Sequence, residues 1–289
     1  MKRYLGIDVG GTSVKHSLYD EGGRELSPAQ STPSVRDDSD RMINILSDII
    51  TSYGAIDGVG LSMCGGINKD TDVIIEGGAI SSLNGVDLLS ILRGRHPLPI
   101  QMENDANSAA LAEYWLGNGK DVDCFVLLTI GTGVGGSIVI NGKLHRGRHN
   151  YAGEFGHAFL HNDPLQTFGI ASTGSLIDRA NEAGLNIQSG KEFFAQLDNA
   201  DVKAFYDQWI DDLALGIFNI AACLDPGKVL LGGGIMGHSF VFGDINKRLE
   251  ELVELSGYKF AVVAEPCKFG NDAGKIGAIY KLIKGRDNV

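Results

Sequence analysis

The feature that most constrains this chain is a strand–glycine turn–strand pattern that occurs twice. The first copy reads YLGIDVGGTSVKHSLY (4–19) and the second reads CFVLLTIGTGVGGSIVI (124–140). In each copy an apolar run ends in a turn rich in Gly and Thr, and a second β-branched run follows at once. A repeat of this kind predicts a duplicated α/β domain.

The second glycine turn also matches a dinucleotide-binding pattern, with Gly131, Gly133 and Gly136 in G-x-G-x-x-G spacing. In that fold the third glycine opens a helix whose N-terminus carries the pyrophosphate. Here Gly136 opens SIVING, an alternating stretch that ends in an Asn-Gly hairpin pair and therefore predicts a strand. The context excludes a dehydrogenase. A Walker loop and a protein kinase are excluded too, because 270–276 lacks the required spacing and hydroxyl, and no HRD or DFG motif follows.

The remaining periodicity predicts alternating strands and helices in both halves. Helices are predicted at 38–53, 106–116, 201–223 and 273–284, and further strands at 24–32, 57–63, 99–103, 228–231 and 260–264. We expect an N-terminal lobe over 1–108, completed by the C-terminal helix 274–289, and a C-terminal lobe over 109–273. No linker rich in Pro or Ser separates them, so a hinge is expected.

Charge and cysteine content limit the partners and the compartment. The formal net charge of −11 disfavours nucleic acid and anionic membranes as main partners. The four cysteines lie far apart, which predicts free thiols in a reducing compartment. A strand follows Met1-Lys2-Arg3 almost immediately, and no apolar run reaches membrane-spanning length. We therefore expect a cytoplasmic protein.

Both glycine turns have the chemistry of phosphate loops. Glycine lets backbone N–H groups approach phosphate oxygens, and the hydroxyls of Thr12, Ser13 and Thr132 and the charge of Lys15 add to them. Gly232-Gly233-Gly234 follows a predicted strand and suits a nucleoside. Each turn alone could be an ordinary tight turn, but the three together favour a nucleotide.

Two polar clusters could carry out chemistry on a sugar. ENDAN (103–107) lies where a strand meets a helix, so Asp105 could deprotonate a hydroxyl during phosphoryl transfer; the alternative is a helix N-cap. GEFGH places Glu154 and His157 in a loop, where they could grip vicinal sugar hydroxyls. A metal site with His161 is the alternative, but HAFLH predicts a strand, and the helix spacing of zinc ligands does not apply.

Together these motifs resemble a known family. DVGGTSVK, ENDANSAALAE, TIGTGVGGSIVINGKLHRG, AGEFGH and DPGKVLLGGGI are similar, in this order and spacing, to the ROK sugar kinases (repressor, open reading frame, kinase) from residue 4 to about residue 282. The resemblance implies an α/β, actin-like ATPase fold of hexokinase type (ribonuclease H-like), with two duplicated lobes that close over an interlobe cleft. It also implies ATP- and Mg²⁺-dependent phosphorylation of a small-molecule sugar, usually at the 6-hydroxyl, by a homodimer.

The resemblance also implies a role for individual residues. Asp105 matches the catalytic base. The positions implied for sugar binding are Asn104, Glu154, His157, Gly65 and Ala79. The positions implied for ATP and phosphate are Asp8, Gly10, Gly11, Thr12, Lys15, Gly131, Thr132 and Gly133, with Gly233 and Gly234 on the adenosine side.

Three departures from the family pattern leave the sugar open. Most members follow EFGH with C-x-C-G-x-x-G-C-x-E, whose cysteines hold zinc; HNDPLQTFGIASTGSL has no cysteine, so no structural zinc is expected. Phe168 stands where the motif's sugar-binding glutamate would be, and Gln166 or His161 could supply that contact instead. An Asn that usually contacts the sugar is replaced within GGAI (77–80).

These departures resemble the zinc-less β-glucoside kinases and N-acetylmannosamine kinases. We therefore expect a kinase acting on a hexose or β-glucoside, with an N-acetylmannosamine kinase as the alternative. The family's repressors carry a helix-turn-helix ahead of the first strand, and this sequence begins at that strand. A non-catalytic ROK-type sugar sensor is the remaining alternative from another functional class.

Overall fold

Strands and helices alternate along the chain. A computed structural model describes residues 1–68, 70–161, 166–257 and 259–285. In chain order the elements are β1 (Tyr4–Val9), β2 (Ser13–Tyr19), β3 (Gln30–Pro33), α1 (Ser39–Ser52), β4 (Gly58–Met63), β5 (Gly66–Ile67), β6 (Ile74–Glu76), α2 (Leu88–Arg95), β7 (Ile100–Asn104), α3 (Asp105–Leu116), β8 (Phe125–Ile130), β9 (Val134–Ile140), β10 (Lys143–Leu144), α4 (Thr173–Glu182), α5 (Gly190–Ala195), α6 (Ala200–Leu224), β11 (Lys228–Gly232), α7 (Ser239–Ser256), β12 (Ala264–Pro266) and α8 (Ala273–Lys284). Within the described ranges no helix is long and apolar enough to cross a bilayer.

The chain divides into two units, each with its own sheet. Unit 1 contains Met1–Lys120, Gly142–Ala152 and residues 271–285, and unit 2 contains Asp121–Asn141 and Gly153–Gly270. The sheet of unit 1 has the order β3-β2-β1-β4-β7, and the strands of unit 2 follow the order β9-β8-β11-β12. In both units a hairpin pair is followed by parallel strands. This repeated order confirms the predicted duplicated α/β fold.

The glycine turns close these hairpins. Val9 pairs with Val14 across the first turn, and Ile130 pairs with Val134 across the second. Gly136 lies inside β9, opposite Leu128. The G-x-G-x-x-G pattern is therefore followed by a strand, as predicted, and no helix begins there to receive a pyrophosphate.

Each unit has its own hydrophobic core. In unit 1 the amphipathic helix α1 begins after the Asp38 N-cap and buries Met42, Leu46 and Ile50 against the sheet core. In unit 2 the long helix α6 buries Trp209 and Leu213 among residues of β8 and β11. Separate cores explain why each half of the repeat carries a complete set of apolar strands.

Two predicted strands are displaced in the structure. The third strand is Gln30–Pro33 and not 24–32, because the Asp20 carboxylate accepts the N–H groups of Gly22 and Arg24 and holds a turn there. The last strand is Ala264–Pro266 and not 260–264, since β11 pairs with it only from Ala264 onward.

The expected lobe boundary at residue 108 differs from the structure, because it would divide α3. All of α3 belongs to unit 1, where it packs along α8. The two helices cross so closely that a Cβ added to Gly277 would lie 1.7 Å from the carbonyl oxygen of Ser108. This contact keeps α3, and the residues at its N-terminus, on unit 1.

The α3–α8 contact predicts that Gly277→Ala destabilises the protein. The added methyl group has no space, so the free energy of unfolding should fall by about 1–3 kcal/mol, as in an overpacked core. Gly94→Ala is the matched control, because Gly94 is also helical and nothing lies within 4 Å of its added Cβ. That change should raise stability by up to ~1 kcal/mol. Urea denaturation checks both, and equal effects of the two variants would contradict the close-contact account.

Candidate active site

In unit 1 the predicted site residues lie at one edge of the sheet. Strands β1, β4 and β7 are parallel, with Val9 opposite Met63 and Met63 opposite Asn104. Parallel strands end at the same edge, where α/β proteins bind their ligands. The residues brought together there are Asp8, Gly10, Gly11, Thr12, Lys15, Gly65, Ala79, Asn104 and Asp105.

The first glycine loop is tightly held. The N–H of Gly10 donates to the carbonyl of Ser13 at 3.1 Å. A Cβ on Gly11 would lie 2.4 Å from the Cβ of Ala79, so only glycine fits and Ala79 lies directly beside the loop. Ser34 donates its hydroxyl to the carbonyl of Gly10 at 2.6 Å and adds a second support.

Arg36 contacts this loop and was not predicted. Its Nε donates to the carbonyl oxygen of Gly11 at 2.5 Å, and its Nη2 donates to Thr12 Oγ1 at 3.3 Å. The contact places a guanidinium at a loop suited to phosphate. No motif around Arg36 signals this contact, because it arises from the fold and not from local spacing.

Asp8 is the penultimate residue of β1 and lies beside the same loop. Its Oδ1 accepts the hydroxyl of Ser62 at 2.7 Å, and Lys15 lies opposite it in the β1–β2 register. Burial raises the pKa of Asp8, although the Ser62 hydrogen bond and the charges of Lys15 and Lys275 act in the opposite direction. A carboxylate oxygen at this position is of the ligand type that hard cations prefer.

Asp105 is exposed as the first residue of α3. The N-cap is Asn104, whose Oδ1 accepts the N–H of Asn107 at 3.1 Å. Asn104 Nδ2 donates to the carbonyl of Gly65 at 2.9 Å, which ties the end of β7 to the segment after β4. The N-cap that the sequence offered as the alternative role of this segment therefore exists, and Asn104 provides it. Asp105 lies where the helix dipole favours an anionic carboxylate.

A buried carboxylate holds this junction. Glu103 is 2 % exposed, and its Oε1 accepts the N–H of Asn104 at 3.0 Å. Its Oε2 accepts Arg146 Nη2 at 2.6 Å and Lys281 Nζ at 3.0 Å, and Lys281 also donates to the carbonyl of Met102. Burial alone would raise the pKa of Glu103, but Lys281 and Arg146 outweigh it and lower the pKa to about 2. The charge network therefore fixes the residues on either side of the β7–α3 junction.

In unit 2 the predicted site residues again lie where parallel strands end. Thr129 of β8 pairs with Gly232 of β11, so the second glycine loop and the GGG segment begin side by side. A Cβ on Gly233 would lie 1.9 Å from the carbonyl oxygen of Ile130, at a φ of 112°. The residues brought together there are Gly131, Thr132, Gly133, Gly233 and Gly234.

Glu154 and His157 lie in the same unit. A 3₁₀ turn over Phe155–His157 places both side chains on the surface, with the N–H of His157 donating to the carbonyl of Glu154 at 3.2 Å. The turn packs on β9, next to the second glycine loop. The expected pair therefore lies on one short rigid turn.

A cavity of about 650 Å³ opens at the second glycine loop. Gly131, Thr132 and Gly234 line it, as expected for a nucleotide site. Four further side chains that line the cavity were not indicated by the sequence, and they come from α4, α5 and the N-cap of α7. These are Thr173, Ile177, Lys191 and His238.

A family model for the ROK family matches residues 4–285. The chain belongs to the ROK family. A β-glucoside kinase of Listeria monocytogenes serovar 1/2a is 31 % identical, over 96 % of each chain. Among solved structures, a ROK family protein from Streptococcus pneumoniae TIGR4 in complex with sucrose has a TM-score of 0.88 at 28 % identity, covering 97 % of this chain and 98 % of that one. A ROK family glucokinase from Streptomyces griseus, in complex with glucose and AMPPNP, has a TM-score of 0.82 at 25 % identity, covering 96 % and 97 %.

The likeness to these ROK structures identifies the repeated sheets as the actin-like ATPase fold. Where most ROK proteins carry a zinc motif, Phe168 is buried at 1 % exposure, and a Cβ on Gly216 of α6 would collide with its ring at 2.1 Å. Phe168 therefore fills core and offers no polar contact. His161 Nε2 lies 2.9 Å from Asp212 Oδ1. Over the described residues no group of three His, Cys, Asp or Glu side chains is arranged to hold a metal.

The Glu103 network predicts a large and pH-dependent loss of stability for Glu103→Gln. At neutral pH the variant leaves two cations without their partner, which should cost about 3–5 kcal/mol of unfolding free energy. Because the folded-state pKa lies below the ordinary value of 4.5, the wild-type advantage is complete above pH 4.5 and is lost as the pH falls toward about 2.

Urea denaturation at pH 7 and pH 3 measures this difference, with the exposed Glu250→Gln as the control. The gap between wild type and Glu103→Gln should narrow at pH 3, while Glu250→Gln should match wild type at both. A gap that stays constant with pH would show that the ionised carboxylate is not what holds the junction.

Proposed function

We propose that this ROK-family sugar kinase transfers the γ-phosphoryl group of ATP to the 6-hydroxyl of a hexose or β-glucoside. The observation that carries the proposal is the exposed Asp105 carboxylate at the start of α3, on a junction fixed by Asn104 and Glu103. The same chain holds two glycine hairpin turns with phosphate-loop chemistry. A positioned base together with phosphate loops is what transfer to an alcohol requires.

In the proposed reaction Asp105 acts as general base. The 6-hydroxyl oxygen attacks the γ-phosphorus, a new O–P bond forms, and the bond from phosphorus to the bridging oxygen of ADP breaks. The hydroxyl proton passes to the Asp105 carboxylate. Asn104 remains able to donate its second amide hydrogen to a sugar oxygen, since its Nδ2 uses one hydrogen on Gly65.

Each glycine loop is proposed, within its own unit, to bind phosphate. The N–H groups of Gly10 and Gly131 donate to the carbonyls of Ser13 and Gly133 and hold the loops. The N–H groups of Gly11, Thr12, Thr132 and Gly133, with the guanidinium of Arg36, offer donors to an anion on a chain of net charge −11. Mg²⁺ fits this chain because the Asp8 carboxylate lies beside the first glycine loop and, within the part of the chain that the structure describes, accepts a side-chain hydrogen bond from Ser62 at Oδ1 alone. Held there with the phosphates, the ion would neutralise part of their charge.

Sugar-binding residues are proposed for each unit by itself. Glu154 and His157 are exposed on one turn and can accept and donate hydrogen bonds to vicinal hydroxyls. Gly65 and Ala79 add small surfaces beside Asn104 and the first glycine loop. The similarity to a β-glucoside kinase and to a sucrose complex supports a substrate larger than a free hexose.

The base assignment predicts that Asp105→Asn abolishes most turnover. The amide keeps the size of the side chain but cannot accept the proton, so kcat should fall about 10²–10⁴-fold, whereas sugar affinity by calorimetry should stay within about threefold. Asp87→Asn is the matched control, because Asp87 caps α2 through Ser90 and has no proposed role in the reaction. It should keep wild-type kcat.

The assay couples ADP release to sugar addition over glucose, cellobiose-type β-glucosides, N-acetylmannosamine and allose. Activity on at least one of them supports the kinase. Activity on N-acetylmannosamine alone would identify an N-acetylmannosamine kinase instead of a hexose or β-glucoside kinase. The absence of sugar-dependent ADP release across the panel would favour a non-catalytic sensor. A fully active Asp105→Asn variant would exclude the base assignment.

A further inference from the structure

Two aromatic rings form a flat stack next to the nucleotide cavity of unit 2. His238 lies at the start of α7 and Phe194 lies in α5. Their ring centroids are 4.4 Å apart with an interplanar angle of 23°. This is a stacked geometry, and not the edge-to-face arrangement that Phe194 makes with other rings.

Phe194 is fixed from its remaining sides. Trp209 meets it edge to face at 6.2 Å and Tyr206 at 6.1 Å, and Phe194 is 8 % exposed. Trp209 is itself held by a hydrogen bond from Nε1 to the carbonyl of Ala171 at 2.8 Å. His238 therefore stacks on a buried ring that other aromatic side chains pack against.

His238 also lines the 650 Å³ cavity, together with Thr132 of the second glycine loop. One face of the imidazole covers Phe194, so the ring meets the cavity with its other face or its edge. Ile130 and Ile177 supply apolar walls, and Lys191 supplies a cation. A nucleotide has a charged phosphate end and a flat, largely apolar base. The glycine loop suits the phosphates, and the apolar walls and the aromatic ring suit the base.

We propose that the base of the bound nucleotide stacks on His238, which Phe194 holds in place. The inference rests on the proposed function, because it takes ATP as the phosphoryl donor. Stacking of a base on an aromatic ring is favourable and does not depend on the pattern of the base edge. His238 would therefore supply affinity for the base, while the glycine loops bind the phosphates.

The neighbouring Phe240 provides a matched control. It contacts Phe194 at 5.8 Å and His238 at 5.6 Å, but it does not line the cavity and is 45 % exposed. A residue that acts only through aromatic packing should respond to substitution in the same way as Phe240. A residue that touches the base should not.

The test measures the dissociation constant of ADP by calorimetry for wild type and four variants. His238→Ala and His238→Leu should weaken ADP binding by about tenfold, because both remove the ring. His238→Phe should restore binding to within about twofold of wild type, since it returns a flat surface. Phe240→Ala should also stay within about twofold, and tryptophan fluorescence from Trp209 should confirm that each variant is folded.

Some outcomes would overturn the inference. ADP affinity unchanged in His238→Ala and His238→Leu would show that no base rests there. A His238→Phe variant as weak as His238→Leu, or a Phe240→Ala loss as large as that of His238→Ala, would reduce His238 to a packing residue. If any of these results came from a protein that still phosphorylates sugar with ATP, the His238 inference would fail and the proposed function would not be affected. A wild-type chain that binds no ADP would overturn both.

Discussion

The buried carboxylate of Glu103 is the interaction on which the rest of unit 1 depends. Its two oxygens are shared by backbone and amide donors of the β7–α3 junction on one side and by Arg146 and Lys281 on the other. Three chain segments thus meet at one charge, which is costly to bury unless every partner is present. The positions of Asn104 and Asp105 therefore depend on Lys281, which lies more than 170 positions later in the chain.

Two groups of cationic side chains can be distinguished, those paired with a buried carboxylate and those that lie at a glycine loop or cavity. Arg146 and Lys281 share the Glu103 carboxylate inside unit 1. Arg36 instead reaches the first glycine loop, and Lys191 lines the cavity at the second glycine loop. On a chain with a net charge of −11, these cations and the backbone N–H groups of the loops are what can attract a polyphosphate.

Local patterns predicted the repeated hairpins and the strand–helix junction at Asn104 and Asp105, because alternation, glycine turns and capping residues act within a few positions. The pattern did not predict Arg36, Lys281 or His238, since their contacts join segments that are distant in sequence. The boundary at residue 108 differed for the same reason. The close contact between Ser108 and Gly277 holds α3 in unit 1, and no residue near α3 in the sequence signals that contact. The displaced strands 24–32 and 260–264 show that a predicted segment becomes a strand only where a neighbouring strand pairs with it.

The most direct test of the account is to locate the phosphorus on the product. The full chain would be incubated with ATP, MgCl₂ and a uniformly ¹³C-labelled sugar accepted in the coupled assay, and the product examined by ³¹P and ¹³C NMR. Transfer to the 6-hydroxyl should give a phosphoester whose phosphorus couples to C6 and to its neighbour in the ring. Phosphorus coupled to the anomeric carbon, or ADP formed without any sugar phosphate, would contradict it.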